Sequence, residues 1–419
     1  MQGRVPGGVS AGGGCGVRRL PRAWLVAAGL ARAAQPRSTR VAAVSGARRT
    51  RVLHFVTGGF SGGATQVAIA LVNAARAEGP IEPLLVLRRK RRTDPARIAE
   101  LEQAGVPVRV VAGWSHLATI RELVRLCREF RPDVLVAHGF SEHLWGRYAG
   151  LLAKVPNLVH VEHNTRERYT RWRIAQTRWL ARRTARIVGC SEGVRQVLLQ
   201  MGMPADRTIA ISNGIRLEPF ADAESNPLPA RAPGIVMVSR LSKQKDHPTL
   251  LRAIALLRAR GLLPPVLLAG TGKARYRASL EKLAGELGVD GQVQFLGLRR
   301  DVPELLLGHR IAVLSTHYEG MPLALIEGMA AGCAVVGSAV PGVREVIRDG
   351  VDGLLVAPGD AQALADALER LLRDDGLAAS IARQARLRAV EEYGRERMNA
   401  RYEALFLELA RDAGTARPD

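Results

Sequence analysis

Two glutamates eight positions apart, Glu319 and Glu327, lie in the stretch HYEGMPLALIEGMAAGCAVV. Because an α-helix has about 3.6 residues per turn, this spacing predicts that both carboxylates share one helix face and line one cleft. Gly320 permits close approach of a ligand to the backbone, and Pro322 suits the first turn of a helix, whose free amides bind anions. Two such carboxylates are candidates for a general acid and base, or for separate contacts with a ligand that carries sugar hydroxyls and phosphates.

Two cations follow a strand-like run in the same half of the chain. Arg240 and Lys245 come after GIVMVS and precede a helix that Asp246 could cap. Two cations in such a loop can neutralise a diphosphate, and arginine offers bidentate geometry. Gly297, at the end of the run VQFLG, lies where a nucleotide base could contact backbone.

The amino-terminal half supplies a second set of candidates. The segment GGFSGGA, with Gly62 and Gly63, opens a helix directly after the first strand, and a glycine-rich helix start favours phosphate. It is neither a G-x-G-x-x-G fingerprint nor a P-loop. His138 and His163 each follow a strand-like run and are predicted to face the cleft, whereas Asn213 begins an ordinary turn at the junction of the two halves.

Short apolar runs that alternate with helical stretches must position these residues. The first half contains the runs RVLHFVT, EPLLVLR, VPVRVV, DVLVAH, NLVHVEH, RIVGC and TIAIS. The second half contains GIVMVSR, PPVLLAG, VQFLG, RIAVLS, CAVVGS and GLLVAP. This alternation predicts an α/β fold in which two Rossmann-like parallel sheets face a cleft, where the carboxyl ends of their strands bind ligands.

The chain divides into five predicted segments. Residues 1–48 lack Asp and Glu, and their apolar run Ala23–Ala31 is similar to the core of a signal or transit peptide. We interpret this segment as a disordered extension or as one that is not part of the natural product. The others are a first domain (49–215), a linker rich in Pro, Ala and acidic residues (216–233), a second domain (234–395), and a carboxyl-terminal helix and tail that pack back on the first domain (396–419).

The net charge of +22 lies almost wholly before residue 226. It includes the basic run Arg88–Arg92 and the stretch RERYTRWRIAQTRWLARR, residues 166–183. Such a surface would attract anionic lipid, a phosphorylated acceptor or nucleic acid, although an arginine-rich protein can carry a basic face that simply contacts water.

The cysteines favour a reducing cytoplasm. Cys15, Cys127, Cys190 and Cys333 lie far apart, so neither a disulfide framework nor a zinc site is predicted. No apolar run reaches the roughly 18 residues that span a bilayer. We therefore expect a cytoplasmic protein, with peripheral attachment to the inner face of the plasma membrane through its basic half.

Taken in order, these motifs resemble glycosyltransferase family 4, a retaining family with the two-domain GT-B fold. The resemblance covers about residues 51–395. The motifs that carry it are SRLSKQKD, FLGLRRDVPEL, ISNGI, and the long stretch STHYEGMPLALIEGMAAGCAVVGSAVPGVREVIRDGVDGLLVAPGD. Gly328 and Cys333 stand where this family usually has alanine and proline, and neither change removes a functional group.

The resemblance implies a role for each candidate. Glu319 would bind the donor sugar, Glu327 the ribose, and Arg240 with Lys245 the diphosphate. Backbone at Gly320, Met321 and Leu323 would hold sugar or phosphate, while Gly62 and Gly63 would approach the phosphates or the acceptor. His138 would lie near the reacting centre and His163 in the cleft. Gly297 and Asn213 complete the donor site.

The implied co-substrate is a nucleotide sugar, with UDP favoured over GDP, and the implied acceptor is lipid-linked or an oligosaccharide. No D-x-D motif occurs, so we expect no metal and no separate cofactor. Alternatives on similar architecture are a nucleotide-sugar epimerase or a phosphorylase. A different class, a basic membrane- or nucleic-acid-binding protein, is suggested by charge alone, and no nucleic-acid-binding motif supports a nucleic-acid partner.

Overall fold

The computed structural model describes residues 48–60, 62–76, 79–91, 93–165 and 169–415. All of the predicted extension except Arg48 lies outside these ranges. So do Ser61 of the glycine segment, Arg92 of the basic run, and residues 166–168 of the basic stretch.

The first sheet has seven parallel strands in the order β3-β2-β1-β4-β5-β6-β7. Its strands are β1 (Thr50–Thr57), β2 (Ile81–Arg88), β3 (Val108–Val111), β4 (Val134–His138), β5 (Asn157–Glu162), β6 (Arg186–Gly189) and β7 (Thr208–Ala210). The connecting helices are α1 (Gly63–Ala75), α2 (Pro95–Gln103), α3 (His116–Phe130), α4 (Glu142–Leu152), α5 (Arg171–Ala181) and α6 (Glu192–Gln200).

The second sheet has six parallel strands in the order β10-β9-β8-β11-β12-β13. They are β8 (Ala232–Val238), β9 (Val266–Ala269), β10 (Val293–Gly297), β11 (His309–Leu314), β12 (Ala334–Ser338) and β13 (Leu354–Val356). The helices are α7 (His247–Ala259), α8 (Ala274–Glu286), α9 (Val302–Leu307), α10 (Leu323–Ala330), α11 (Pro341–Val346), α12 (Ala361–Arg373), α13 (Asp375–Glu392) and α14 (Arg395–Thr415).

The predicted fold class is confirmed, and every predicted strand run forms a strand. Most of these strands are continuous, largely apolar and buried runs, which is the pattern expected of parallel sheets covered by helices on both faces. In each sheet the second and third strands add successively to one side of the first strand, and the fourth strand then pairs with the opposite side of the first. The two reversal points, between β1 and β4 and between β8 and β11, are where such sheets bind ligands.

The last helix, α14, packs on the first sheet although it follows the second in sequence. Its apolar side chains join a core cluster with Val52, Val136 and Val161 of that sheet. The helix residues in this cluster are Met398, Tyr402, Leu405, Phe406 and Leu409. Helices α13 and α14 are separated at Gly394, which forms a bridge with Ile215.

Candidate functional site

Two loops at the carboxyl ends of neighbouring strands build one wall of the cleft. One follows β8 and the other follows β11, and hydrogen bonds join them side by side. Gln244 Nε2 donates to the Tyr318 carbonyl at 2.8 Å, and Ser315 Oγ donates to the Asp246 carbonyl at 3.1 Å. These bonds bring the two predicted charged motifs of the second domain together.

Lys245 and Glu319 meet directly on this wall. The Lys245 ammonium donates to the Glu319 carboxylate, and both side chains are mostly buried. Arg240 lines the same cleft but is exposed. Within the described residues it makes no hydrogen bond or ion pair, so its guanidinium is available to an anion. Asp246 precedes α7 as expected, but its side chain does not cap the helix, because the residue has left-handed backbone (φ 40°).

The prediction that Glu319 and Glu327 share a helix face is wrong. Helix α10 begins only at Leu323, so Glu319 lies in the preceding loop, and Glu327 lies in the helix. Pro322 at the N-cap, with φ −85° and ψ 77°, separates the two segments. The Leu323 amide already donates to the Met321 carbonyl at 3.1 Å.

Glu327 lies behind the cleft wall rather than on it. Burial raises the pKa of Glu327 to about 7, and nearby Arg395 offsets part of that effect. Near neutral pH its carboxyl is therefore divided between the protonated and ionised forms.

The first domain builds the opposite wall from the ends of β1, β4 and β5. Gly62 and Gly63 start α1 at this edge. His138 ends β4 and is buried, and both of its ring nitrogens are occupied. Its Nε2 lies 3.1 Å from His54 Nδ1, and its Nδ1 lies 3.3 Å from His163 Nε2.

The two walls touch along a seam beside the cleft. Gly320 packs so closely that a Cβ placed there would lie 2.2 Å from the His163 carbonyl oxygen. Its own carbonyl accepts from Ser191 Oγ at 2.8 Å, and the Glu319 carbonyl accepts from Thr165 Oγ1 at 3.1 Å. A glycine is required at position 320 because any side chain would separate the two walls.

The cleft has a volume of about 390 Å³. Ten predicted residues line it: Gly62, Gly63, His138, His163, Asn213, Arg240, Lys245, Glu319, Met321 and Leu323. Gly320, Glu327 and Gly297 do not line it. Gly297 has left-handed backbone (φ 70°) at the end of β10 and leaves open space where a side chain would lie.

Sequence reasoning missed five polar residues that line the cleft, among them Asn164 and Glu142. Asn164 directly follows His163, so its position at the end of β5 was a usable signal. Glu142 begins α4, and its carboxylate lies 2.7 Å from Lys90 Nζ and 3.5 Å from Arg88 Nη1. Arg88 is therefore buried at the end of β2 and does not belong to an exposed basic run.

A larger cavity of about 550 Å³ lies at the amino ends of β1, β2 and β3. Several arginines line it, but Arg51 is paired with Glu82 and Arg109 donates to the neighbouring Val108 carbonyl. The cavity contains none of the predicted motifs, so the cleft between the two sheets is the better candidate.

Two features are absent from the residues that the structure describes. No helix among them is long and apolar enough to cross a membrane. Over the same ranges, no three His, Cys, Asp or Glu side chains gather in a way that could hold a metal ion.

Two Rossmann-like domains with cations, a glycine-rich helix start and histidines at facing strand ends define a two-domain transferase of the GT-B type. The family described as "Glycosyltransferase Family 4" matches residues 61–219, and "Glycosyl transferases group 1" matches residues 220–388. The chain belongs to this glycosyltransferase family, whose members use nucleotide sugars.

Relatives of similar length support this assignment. The chain is 29% identical over 361 residues to the lipopolysaccharide core biosynthesis glycosyltransferase LpsE of Rhizobium meliloti, covering 84% of this chain and 97% of that protein. It is 24% identical over 274 residues to an Escherichia coli UDP-Gal:α-D-GlcNAc-diphosphoundecaprenol α-1,3-galactosyltransferase, covering 62% and 71%.

The fold matches that of Anabaena HepE, which was solved in complex with UDP-glucose. The TM-score is 0.75 at 24% identity, covering 85% of this chain and 99% of that protein.

Proposed function

We propose that this glycosyltransferase moves a hexosyl or N-acetylhexosaminyl group from a UDP-sugar to a lipid-linked or polysaccharide acceptor in bacterial surface glycan assembly. The observation that carries the proposal is the convergence of Arg240, Lys245 and Glu319 on one cleft wall, facing His138 and His163 on the other. Cations and a carboxylate suit the diphosphate and the hydroxyls of a nucleotide sugar, and the facing wall leaves room for an acceptor.

The donor would lie against the second domain. Arg240 and Lys245 would hold the diphosphate, Glu319 the sugar hydroxyls, and Glu327 the ribose. The remaining contacts would come from the backbone of Gly320, Met321 and Leu323, from Gly297 near the base, from Asn213, and from Gly62 and Gly63 across the cleft. Glu327 reaches the ribose in this scheme only if the ligand lies deeper than the present cleft wall.

The chemistry follows from where charge develops. The bond between the anomeric carbon and the phosphate oxygen breaks, so the sugar becomes positive and the departing diphosphate becomes more negative. Arg240 and Lys245 would stabilise that negative charge. The acceptor hydroxyl attacks from the same face, its proton passes to the leaving phosphate oxygen, and the anomeric configuration is retained. Exclusion of water from the cleft would limit hydrolysis of the donor.

The choice of UDP over GDP is supported by two similar proteins. Anabaena HepE was solved with UDP-glucose, and the Escherichia coli relative is named for UDP-Gal and for a diphosphoundecaprenol acceptor. LpsE is named for lipopolysaccharide core biosynthesis. These names favour a surface glycan as the product.

We also propose a cytoplasmic site of action at an anionic membrane surface. The supporting feature is the exposed face of α5, which carries Trp172 and Trp179 between arginines. The guanidinium carbon of Arg183 lies 3.9 Å from the centroid of the Trp179 ring, and the Tyr148 ring stacks beside it with 6.1 Å between ring centroids. Amphipathic aromatic rings among cations suit the headgroup region of a bilayer.

A donor screen tests the enzymatic proposal. Thermal shifts would be measured with UDP-glucose, UDP-galactose, UDP-N-acetylglucosamine and GDP-mannose, and release of the nucleotide diphosphate would then be followed with a polyprenyl-diphosphate sugar. We expect a UDP-sugar to stabilise the protein and to be consumed only when acceptor is present. Absence of any donor binding, together with DNA binding at physiological salt, would contradict the proposal.

A further inference from the structure

Three imidazoles form a hydrogen-bonded row across neighbouring strands of the first sheet. His54 lies within β1, His138 ends β4, and His163 follows β5. The ring centroids are 5.4 Å and 5.5 Å apart along the row, and adjacent rings are tilted by only 26° and 21°. The row begins in the core at His54 and ends at His163 on the cleft, so it joins a buried residue to the candidate site.

The row constrains where its protons lie. Burial lowers the pKa of His54 and of His163 to about 3 and lowers that of His138 well below its usual value, so all three rings are neutral at physiological pH. A neutral imidazole has one N–H, and each N···N contact needs one donor and one acceptor. Both contacts can therefore form only if all three rings carry the proton on Nδ1 or all three carry it on Nε2.

The cleft end of the row indicates which arrangement holds. His163 Nδ1, on the ring edge away from His138, is buried and has no hydrogen-bond partner within the described residues. An unpaired buried N–H is a rarer defect than an unpaired acceptor. The Nε2–H arrangement instead places the terminal N–H on His54 Nε2, which, unlike His163 Nδ1, is not fully buried without a partner. The same shortage of donors recurs beside His163, because Asn164 Oδ1 and Asn213 Oδ1 also line the cleft without a partner in the described chain.

We propose that His54 is a positioning residue that, through His138, holds His163 in the Nε2–H form, so that His163 Nδ1 accepts a hydrogen bond from a hydroxyl of the donor sugar. Asn164 and Asn213 accept further hydroxyl hydrogens beside it. A sugar supplies the donors that these three buried acceptors lack. This inference rests on the proposed function, because it requires a glycosyl donor in the cleft.

The proton positions are measurable without any ligand. Long-range ¹H–¹⁵N spectra of the full chain with ¹⁵N-labelled histidine distinguish protonated from bare ring nitrogens, and single substitutions assign the signals. We expect protonated Nε2 and bare Nδ1 in His54, His138 and His163. A proton on Nδ1 of any of the three overturns the proposal.

Binding of two nucleotides tests the consequence for the site. We expect His54→Leu and His163→Leu each to weaken UDP-glucose binding about tenfold while UDP, which lacks the sugar, binds as in the wild type. The double substitution should lose no more than either single one, because both remove the same contact. His54→Gln, whose amide oxygen can accept from His138 Nε2–H, should restore most of the affinity.

His160→Leu is the matched control. His160 is equally buried on β5, but its ring nitrogens have no hydrogen-bond partner in the described residues, and it lies outside the row. We expect it to leave the ratio of the two affinities unchanged. Equal losses for UDP and UDP-glucose in His54→Leu would indicate a merely structural role and overturn the proposal. If the wild type binds neither nucleotide, the choice of donor fails, while the spectra still decide the arrangement of the row.

Discussion

The side chains of Lys245 and Glu319 form an ion pair on the cleft wall and keep only 13% and 14% of their surface exposed. They come from loops that follow two different strands, and hydrogen bonds between those loops fix their separation. A diphosphate that enters the cleft must therefore share Lys245 with Glu319 or displace it. Arg240 carries no such partner in the described chain, so it is the cation that an incoming donor can engage first.

The pair predicts coupled losses of activity. Lys245→Ala and Glu319→Ala should each slow transfer by about a hundredfold or more, the range found when one group that stabilises developing charge is removed. Since each substitution also leaves the other charge without its partner, the double variant should lose less than the product of the two single losses. Initial rates of nucleotide release with acceptor present measure all three.

Lys243→Ala is the control for this experiment. Lys243 lies in the same loop but is exposed and does not line the cleft. Its rate should match the wild type. Full activity in Glu319→Ala with an intact circular-dichroism spectrum would refute the assignment of the site.

The contribution of Arg240 to activity and UDP binding should depend on the planar geometry of its guanidinium as well as on its charge. We expect Arg240→Ala to abolish most of the activity and to weaken UDP binding, whereas Arg240→Lys should keep the charge and recover part of both, because lysine lacks the planar fork that binds phosphate in a bidentate way. Calorimetric titration with UDP measures the binding. Arg252→Ala, on the exposed surface of α7, should bind UDP normally, and equal affinities for Arg240→Ala and wild type would exclude the proposed phosphate contact.

The sequence contained enough information to place the strands and the charged motifs. Buried parallel strands are continuous apolar runs, so their order along the chain was visible, and any charged residue just after such a run must lie at a sheet edge. This is why Arg240, Lys245, His138 and His163 were assigned to one cleft. The spacing of Glu319 and Glu327 predicts one shared helix face and cleft, but spacing alone does not reveal that the backbone at Pro322 delays the start of α10.

Contacts between residues that are far apart in the sequence could not be predicted. His54 lies in the middle of the apolar run RVLHFVT, and only the sheet order, with β1 beside β4, brings it to His138. Arg88 was assigned to an exposed basic run for the same reason. Its partner Glu142 is 54 positions away and buries it at the end of β2. Local sequence carries charge and periodicity, but it does not carry these long-range pairings.

Glu327 predicts a pH dependence of donor binding. Its pKa is raised from 4.5 to about 7 by burial, so ionisation disfavours the folded protein as pH rises through this window. If ribose hydroxyls donate to the carboxylate, binding favours the ionised form and releases a proton. Affinity for UDP-glucose should therefore rise about tenfold between about pH 6 and 8. Because burial lowers the pKa of His138 and His163 far below this range, they do not contribute.

Glu327→Gln separates this effect from others. The amide does not titrate, so its affinity for UDP-glucose should be constant across the same range. UDP-glucose is the suitable ligand because its esterified diphosphate loses no proton there. The same pH slope in the variant and the wild type would show that another group is responsible.

The contacts of Glu345 lead us to expect that the contact between the domains stabilises the protein and holds the domains together. From α11 of the second domain its carboxylate accepts from the backbone amides of Glu192 and Gly193, both at 2.9 Å, at the start of α6 in the first domain. A carboxylate at a helix amino terminus contributes about 1 kcal/mol to the free energy of unfolding. Glu345→Ala should lower the free energy of unfolding by about this amount and increase the radius of gyration in X-ray scattering.

Glu391→Ala is the comparison for Glu345, because Glu391 is exposed near the same junction and, among the described residues, has no hydrogen bond or ion pair from its side chain. It should change neither the unfolding curve nor the scattering. If Glu345→Ala lowers stability but leaves the radius of gyration unchanged, the carboxylate caps α6 without controlling the separation of the domains.

The exposed face of α5 predicts binding to anionic vesicles. Arg171 and Arg182 are exposed and eleven positions apart, so they lie on nearly the same side of the helix. Each basic residue near such a surface contributes about 1 kcal/mol, so Arg171→Glu/Arg182→Glu should reduce association with phosphatidylglycerol vesicles by well over tenfold in sedimentation assays. Arg252→Glu/Lys282→Glu changes the net charge equally on the second domain and should have little effect. Equal losses in the two double variants would mean that total charge, rather than the α5 face, drives binding. In that case added salt should weaken vesicle binding by the same factor whether or not Trp172 is present.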